Sequence, residues 1–215
     1  MKHFDVHPLF NMPIALTNIS LSENEQNDIL EFVKLQTWEK ANQALDSMSD
    51  TNKSLQSEDL YILEKNELFF LKNKIIDAFS DYKNNVMRYE NTDFKITTSW
   101  FTKTEYGQKS NYHNHGNCMF SAVFYINQSD NSESGNIVFT KYENKRFNIK
   151  PVEHNLFNSE TWTFNPQKHD LIIFPSETYH RVKTHLLKEN RYSLALNFMP
   201  VGHIGVYDSR LELKC

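Results

Sequence analysis

From Phe94 to Pro200 the sequence is a series of short runs rich in β-branched and aromatic residues, separated by turn material, and this pattern limits the fold more than any other feature. The runs are Lys95 to Thr104, Phe120 to Asn127, Asn136 to Thr140, Thr161 to Asn165, Asp170 to Phe174, Arg181 to His185 and Arg191 to Pro200, with turn signals such as Ser132 to Gly135 and Asn165 to Pro166. Strands of this length at this spacing cannot bury their apolar faces singly, so they imply a sandwich or a barrel. The chain has the material for such a core: 16 Phe and 10 Tyr in 215 residues, against only 5 Gly and 6 Pro, which excludes a disordered or collagen-like chain.

Before residue 95 the periodicity is helical. Ser22 and Glu25 fit a capping box ahead of Ile29, Leu30, Phe32 and Val33, predicting a helix within Ser20 to Gln36. Leu68, Leu71, Ile75, Ala78, Phe79, Tyr82 and Val86 recur at three- and four-residue steps and predict a longer helix over Glu67 to Tyr89. Leu9 to Ala15 reads as a short extended segment, and the polar stretch Ser47 to Ser57 as a surface loop. Both helices need a partner for their apolar faces, and the following sheet is the natural one. The expectation is a single domain over residues 1–215, with 1–94 a mostly helical support and 95–215 the β core.

Charge and cysteines leave several function classes unsupported. A net charge of −4 offers no basic field for nucleic acid or an anionic membrane. Cys118 and Cys215 are too few for a disulfide scaffold, and no CxxC pair is present. The opening MKHFDVHPLF lacks an apolar run of signal length, and no stretch approaches the ~20 apolar residues of a membrane span. A reducing cytoplasmic setting is expected. Nothing in the sequence decides between monomer and homodimer.

Among nine histidines, position singles out three. His113 and His115 lie two apart at the entry to a predicted strand, and such residues project to the same side of an extended chain. His180 follows FPSETY and heads the run Arg181 to His185. Two imidazoles from one strand end and a third from a distant strand are the donors of a facial metal site with coordination positions left open. A chance coincidence of three histidines is the competing explanation, and Arg191 weighs against it. In RYSLALNF, alternation puts Arg191, Ser193, Ala195 and Asn197 on one face and Tyr192, Leu194, Leu196 and Phe198 on the other. A guanidinium inside a core strand calls for a carboxylate, supplied by a bidentate ligand or by an internal Asp or Glu.

Taken together, these residues resemble the 2-oxoglutarate and iron(II)-dependent oxygenases, specifically a bacterial and phage group related to prolyl hydroxylases. The resemblance spans about residues 96–200. It is carried by His113-Asn114-His115, Ser121 to Asn127, Gly135-Asn136-Ile137-Val138-Phe139, Asp170 to Pro175 leading to His180, and Arg191-Tyr192-Ser193. It implies a double-stranded β-helix, a jelly roll of cupin type, in a mainly β (α+β) chain, and Fe(II) and 2-oxoglutarate as cofactors. It also implies His113 and His180 as iron ligands, Arg191 as the clamp on the distal carboxylate, Tyr125 on the same carboxylate, and Ser193 as a helper. Position 115 departs from the pattern: most of the superfamily has Asp or Glu there, and this chain has His. A neutral third ligand leaves the metal more positive by one unit, which favours an anionic co-substrate.

The activity so implied is an oxygenase, expected to hydroxylate a substrate that the sequence does not name, small molecule or macromolecule. Competing readings are a cupin-like metal-binding protein, a three-His iron dioxygenase that needs no oxo acid, and a barrel kept only for interaction. Trp100, Trp162, Asn111 and Asn117 are further candidates to line the pocket, although strand aromatics are commonly core and loop asparagines commonly turn formers. His154, His169, His185 and His203 have no partner pattern and are expected at the surface. Specificity is expected in the loops around Lys141 to Glu160 and in the mouth formed with the N-terminal helices.

Overall fold

The computed structural model describes residues 11–40, 52–89, 91–127, 133–141 and 149–214. Leu9 and Phe10, residues 47–51, 128–132 and 142–148, and Cys215, on which several sequence expectations fall, lie outside them. The strands are β1 (Ala15–Asn18), β2 (Trp38–Lys40), β3 (Leu55–Ser57), β4 (Asp93–Thr104), β5 (Ser110–His113), β6 (Phe120–Tyr125), β7 (Ile137–Thr140), β8 (Thr161–Phe164), β9 (Asp170–Pro175), β10 (Tyr179–Val182), β11 (Arg191–Ile204) and β12 (Leu211–Leu213). The helices are α1 (Glu23–Lys34) and α2 (Phe69–Asp81).

Two sheets form. The larger has the order β1-β9-β6-β11-β4-β3-β2, with β12 beside β11, and the smaller the order β5-β10-β7-β8. From β4 to β11 the chain passes repeatedly between them, and this winding is the double-stranded β-helix. All the pairings between named strands are antiparallel.

The larger sheet separates two cores. On its outer face Phe101, Phe120, Ala122, Phe124, Leu194, Leu196 and Phe198 meet Ile29 and Val33 of α1 and Leu71, Ile75 and Phe79 of α2. Phe79 lies flat on Phe198, with ring centroids 3.8 Å apart and planes at 9°, and its edge meets Phe94 and Phe120. Between the sheets, Tyr125, Ile137, Phe139, Ile172 and Phe174 form a second, smaller cluster. The period-two pattern of β11 explains the division: even-numbered residues face the helices, and odd-numbered ones face the interior. The register continues across both neighbours, Asn197 lying opposite Ser121 of β6 and Thr98 of β4. Just beyond, the β4 pairing slips by one residue, so that Phe198 faces Ile96 and Thr97 is bulged out.

The capping box is present as expected: Ser22 Oγ accepts from the Glu25 N–H, and Glu25 accepts from the Ser22 N–H at 2.7 Å. The second helix is shorter than Glu67 to Tyr89. A 3-10 turn over Asn66–Leu68 precedes it, and after Asp81 the chain widens into a π-helical turn over Tyr82–Met87 that ends at left-handed Arg88 (φ 58°). Asn84, Asn85 and Val86 are weak helix formers, which explains the early loss of the α pattern. The N-terminal half is also less helical than expected, since β1, β2 and β3 all join the larger sheet. Strand β3 falls in the stretch expected to be a loop. Its polar residues conceal it from a pattern search, yet Ser57 is fully buried, with Oγ accepting from the Phe101 N–H at 3.0 Å. Tertiary packing overrides local composition there.

The aromatic stack predicts a measurable dependence of the sheet on its helical layer. Phe79→Ala should lower stability by about 3–5 kcal/mol, as for other buried aromatic truncations, seen as an earlier midpoint in chemical denaturation.

Candidate metal and oxo-acid site

Strand β5 ends at His113, and His115 lies just beyond it on the way to β6. The pair therefore leaves one strand rather than heading the next, and β5 itself was not anticipated. His180 sits inside β10, directly across from His113. Cross-strand pairing thus does for His113 and His180 what the two-residue spacing does for His113 and His115. The metal-ligating nitrogens of the three rings all lie within 4.8 Å of one another. Ring centroids are 4.3 Å apart for His113 and His180, 5.4 Å for His113 and His115, and 5.2 Å for His115 and His180. Small side-chain rotations bring three such rings onto one cation with bonds of about 2.1 Å.

Hydrogen bonds orient two of the rings. His113 Nδ1 lies 2.8 Å from the Asn111 carbonyl, and His180 Nδ1 lies 2.9 Å from the Thr178 carbonyl. A carbonyl only accepts, so each Nδ1 carries the proton and each Nε2 keeps its lone pair for a metal. Burial lowers the pKa of His180 well below the usual imidazole value, helped by the neighbouring His113 and His115. It pushes that of His115 down to about 3, with His113 adding to the effect. Both environments suit neutral donors. Phe139 and Phe174 pack on His180 and form an apolar wall on that side of the cluster.

The same cavity that is lined by the three histidines is lined by Arg191, Tyr125 and Ser193. Arg191 is only 3% exposed, at the start of β11 and across from Thr104. Its guanidinium carbon is 4.9 Å from the Tyr125 ring centroid. The Tyr125 hydroxyl is buried, with no hydrogen-bond partner of good geometry among the described residues. Burial raises its pKa to about 12, and the Arg191 charge opposes that rise. Ser193 lies opposite Tyr125 on the adjoining strand. A buried cation, a buried hydroxyl able to donate and a neighbouring serine make a binding surface for a carboxylate.

Residues 98–197 match the model of a protein family described as "Putative 2OG-Fe(II) oxygenase". Over those residues the chain has the sequence pattern of a 2OG-Fe(II) oxygenase. The enzymes of this class use iron(II) and 2-oxoglutarate, and the matched segment of this oxygenase contains all six residues just described. No curated protein matches the chain by sequence. Solved structures share its fold. A prolyl hydroxylase from Trichoplax adhaerens, in complex with a peptide of hypoxia inducible factor, superposes with a TM-score of 0.62 at 14% identity, covering 86% of this chain and 83% of the other. HygX from Streptomyces hygroscopicus, with nickel and 2-oxoglutarate bound, gives 0.61 at 7% identity, covering 88% and 83%. A prolyl-4-hydroxylase from Pseudomonas putida gives 0.57 at 15% identity, covering 89% and 94%.

Several sequence expectations for the oxygenase require adjustment. Trp100 lines the cavity, its ring 5.8 Å from that of His115. Asn111 contributes through its backbone carbonyl, Asn117 takes a left-handed turn conformation (φ 57°), and Trp162 is half exposed on β8. His154 and His203 are exposed as expected, whereas His169 is half-buried, stacked on Phe124. His185 is not a surface residue. It is 4% exposed, bonded to Ser134 Oγ through Nδ1 and to the Glu189 carbonyl through Nε2, and it ties the segment after β10 to the turn before β7. That turn carries Gly135 (φ +68°), where an added Cβ would stand 3.0 Å from Arg191 Cδ.

The membrane expectation can be stated only for helices: among the described residues none is long and apolar enough to cross a bilayer. Gly135→Ala should both strain the left-handed turn, by about 1–2 kcal/mol, and press on the Arg191 stem. Denaturation of the variant should show a loss at least that large.

Proposed function

We propose that His113, His115 and His180 hold the iron of this oxygenase and that Arg191, assisted by Tyr125 and Ser193, holds the distal carboxylate of 2-oxoglutarate. The observation that carries the reading is the convergence of three neutral imidazoles on the cavity that also receives the buried Arg191. The donor set fits the metal. Imidazole is a good iron ligand, and three rings leave positions free for a chelating oxo acid and oxygen. The bound metal would supply oxidative decarboxylation of 2-oxoglutarate to succinate, coupled to oxidation of a substrate C–H bond, most simply as hydroxylation.

The protein's own groups have simpler tasks. The Asn111 and Thr178 carbonyls fix two of the rings, Arg191 neutralises the distal carboxylate, and the Tyr125 hydroxyl gains an acceptor. Phe139 and Phe174 keep water from the histidine side. The reading further takes the chain as one domain, residues 1–94 supporting the catalytic barrel of 95–215, because helices and sheet share one core. A cytoplasmic setting agrees with free Cys118 and the low cysteine count. The loop from Lys141 to Glu160 and the mouth nearby remain the favoured specificity elements, for a substrate of open chemical class.

The test is succinate formation from labelled 2-oxoglutarate, with metal binding measured in parallel. Arg191→Ala should weaken 2-oxoglutarate binding by roughly 30-fold or more, the scale for losing one partner of a buried charge pair, while metal affinity is unchanged. Equal succinate production by the variant at low 2-oxoglutarate would remove Arg191 from the role.

A further inference from the structure

Arg191 stands where the pairing of β11 runs out. It is the first residue of the strand and lies across from Thr104 of β4, whereas the register with β6 starts only two residues later, at Ser193 and Tyr125. Past that point the backbone of β6 gives one more bond, from the Ile126 N–H to the Tyr192 carbonyl at 3.1 Å. The next two groups on the same edge are the Tyr192 N–H and the Asn190 carbonyl, one on each side of Arg191, and both are met by a side chain.

That side chain is Asn127. Its Oδ1 accepts from the Tyr192 N–H at 2.7 Å, and its Nδ2 donates to the Asn190 carbonyl at 2.8 Å. Both partners have fixed roles, since a backbone N–H only donates and a carbonyl only accepts, so the carboxamide has one orientation. A carboxamide offers the same donor and acceptor as a peptide group, and here it continues the ladder after the strand has ended. One residue further upstream, His185 Nε2 donates to the Glu189 carbonyl at 2.7 Å, while its Nδ1 accepts from the Ser134 hydroxyl at 3.2 Å. The chain entering β11 is therefore gripped by two side chains. The Arg191 side chain is confined as well: its guanidinium carbon lies 4.9 Å from the ring centroid of Tyr125, and its stem runs against Gly135. Tyr125 and Asn127 are two residues apart, so one strand end supplies both the ring beside the guanidinium and the amide that fixes its backbone.

We propose that Asn127 is the positioning residue for Arg191: by bridging the Asn190 carbonyl and the Tyr192 N–H, it fixes the point from which the guanidinium reaches the distal carboxylate of a 2-oxo acid. The inference rests on the reading of Arg191 as the carboxylate clamp. A bidentate pair between guanidinium and carboxylate tolerates little displacement, so the backbone that carries the cation has to be held before the ligand arrives. Asn127 lines a different cavity from the one that the histidines line, and Arg191 is the residue common to the two. The amide thus acts through Arg191 and not on the ligand.

The experiment uses the full chain loaded with Co(II), whose visible bands report the binding of 2-oxoglutarate and of pyruvate, an oxo acid with no distal carboxylate. Wild-type protein should prefer 2-oxoglutarate. Asn127→Leu keeps the size but removes both hydrogen bonds, and it should weaken 2-oxoglutarate binding by about 10-fold, the scale for re-ordering one long side chain on binding. Affinity for pyruvate and for Co(II) itself should not change, whereas a general loosening of the fold would weaken both acids alike. Full preference for 2-oxoglutarate in Asn127→Leu, or an equal loss for both acids, would overturn the proposal while leaving the clamp reading in place. No preference in the wild-type protein would overturn the clamp and the proposal together. Should the leucine variant fail to fold, hydrogen exchange in the wild-type protein gives an independent answer, because coupling between two sites is reciprocal. Saturating 2-oxoglutarate should slow exchange of the Tyr192 N–H and saturating pyruvate should not; no slowing, or equal slowing by both acids, refutes the assignment.

Discussion

The molecule depends on β11 keeping its register against both neighbours from Ser193 to Asn197. In a strand with side-chain period two, a slip of one position would exchange the two faces completely. Leu194, Leu196 and Phe198 would then enter the cavity, and Arg191 and Asn197 would enter the apolar layer under the helices. The packing of Phe79 on Phe198 thus does more than stabilise the helical layer. By holding the even-numbered face outward, it holds Arg191, Ser193 and Ala195 in the cavity.

The interior face of the larger sheet shows how little polar surface is needed. Opposite residues on β6, β11 and β4 form successive rows: Tyr125, Ser193 and Thr102; Val123, Ala195 and Trp100; Ser121, Asn197 and Thr98. The first row adjoins the guanidinium, and the third is tied together by hydrogen bonds from Ser121 to Asn197 and from Asn197 to Thr98. The middle row of Val123, Ala195 and Trp100 is apolar and separates the two. The β6 and β11 members of both polar rows are buried, and each has partners or a cavity to face, as a low-dielectric interior requires.

Much of this was legible in the sequence, for identifiable reasons. Alternation in RYSLALNF gives both faces of β11, and the HxH spacing with His180 gives the triad, because these signals are local and periodic. The capping box at Ser22 was legible for the same reason. What escaped was cooperative. Strand β3 is polar and short, and it is a strand only because Phe101 and Lys103 of β4 need a neighbour. His185 looks like a loop residue until Ser134, far away in sequence, closes on it. Asn197 was visible as an inward polar residue but not as the partner of Ser121 and Thr98. That pairing depends on strands that meet only in the folded sheet, and no single-strand pattern encodes it.

The bulge at Thr97 has one more consequence. Upstream of it, Phe94 and Ile96 turn toward the helices; downstream, Thr98, Trp100, Thr102 and Thr104 line the interior, although all six carry even numbers. A single surplus residue thus inverts the parity of β4 midway. Straightening the bulge with Thr97 retained would send the outer aromatics and the inner threonines to the same side, whereas excising Thr97 would let a regular strand keep both sets where they are. Thr97 is carried by a kink in the strand and not by a place in the ladder, so the faces of β4 depend on the bulge staying at this point and not on what side chain fills it.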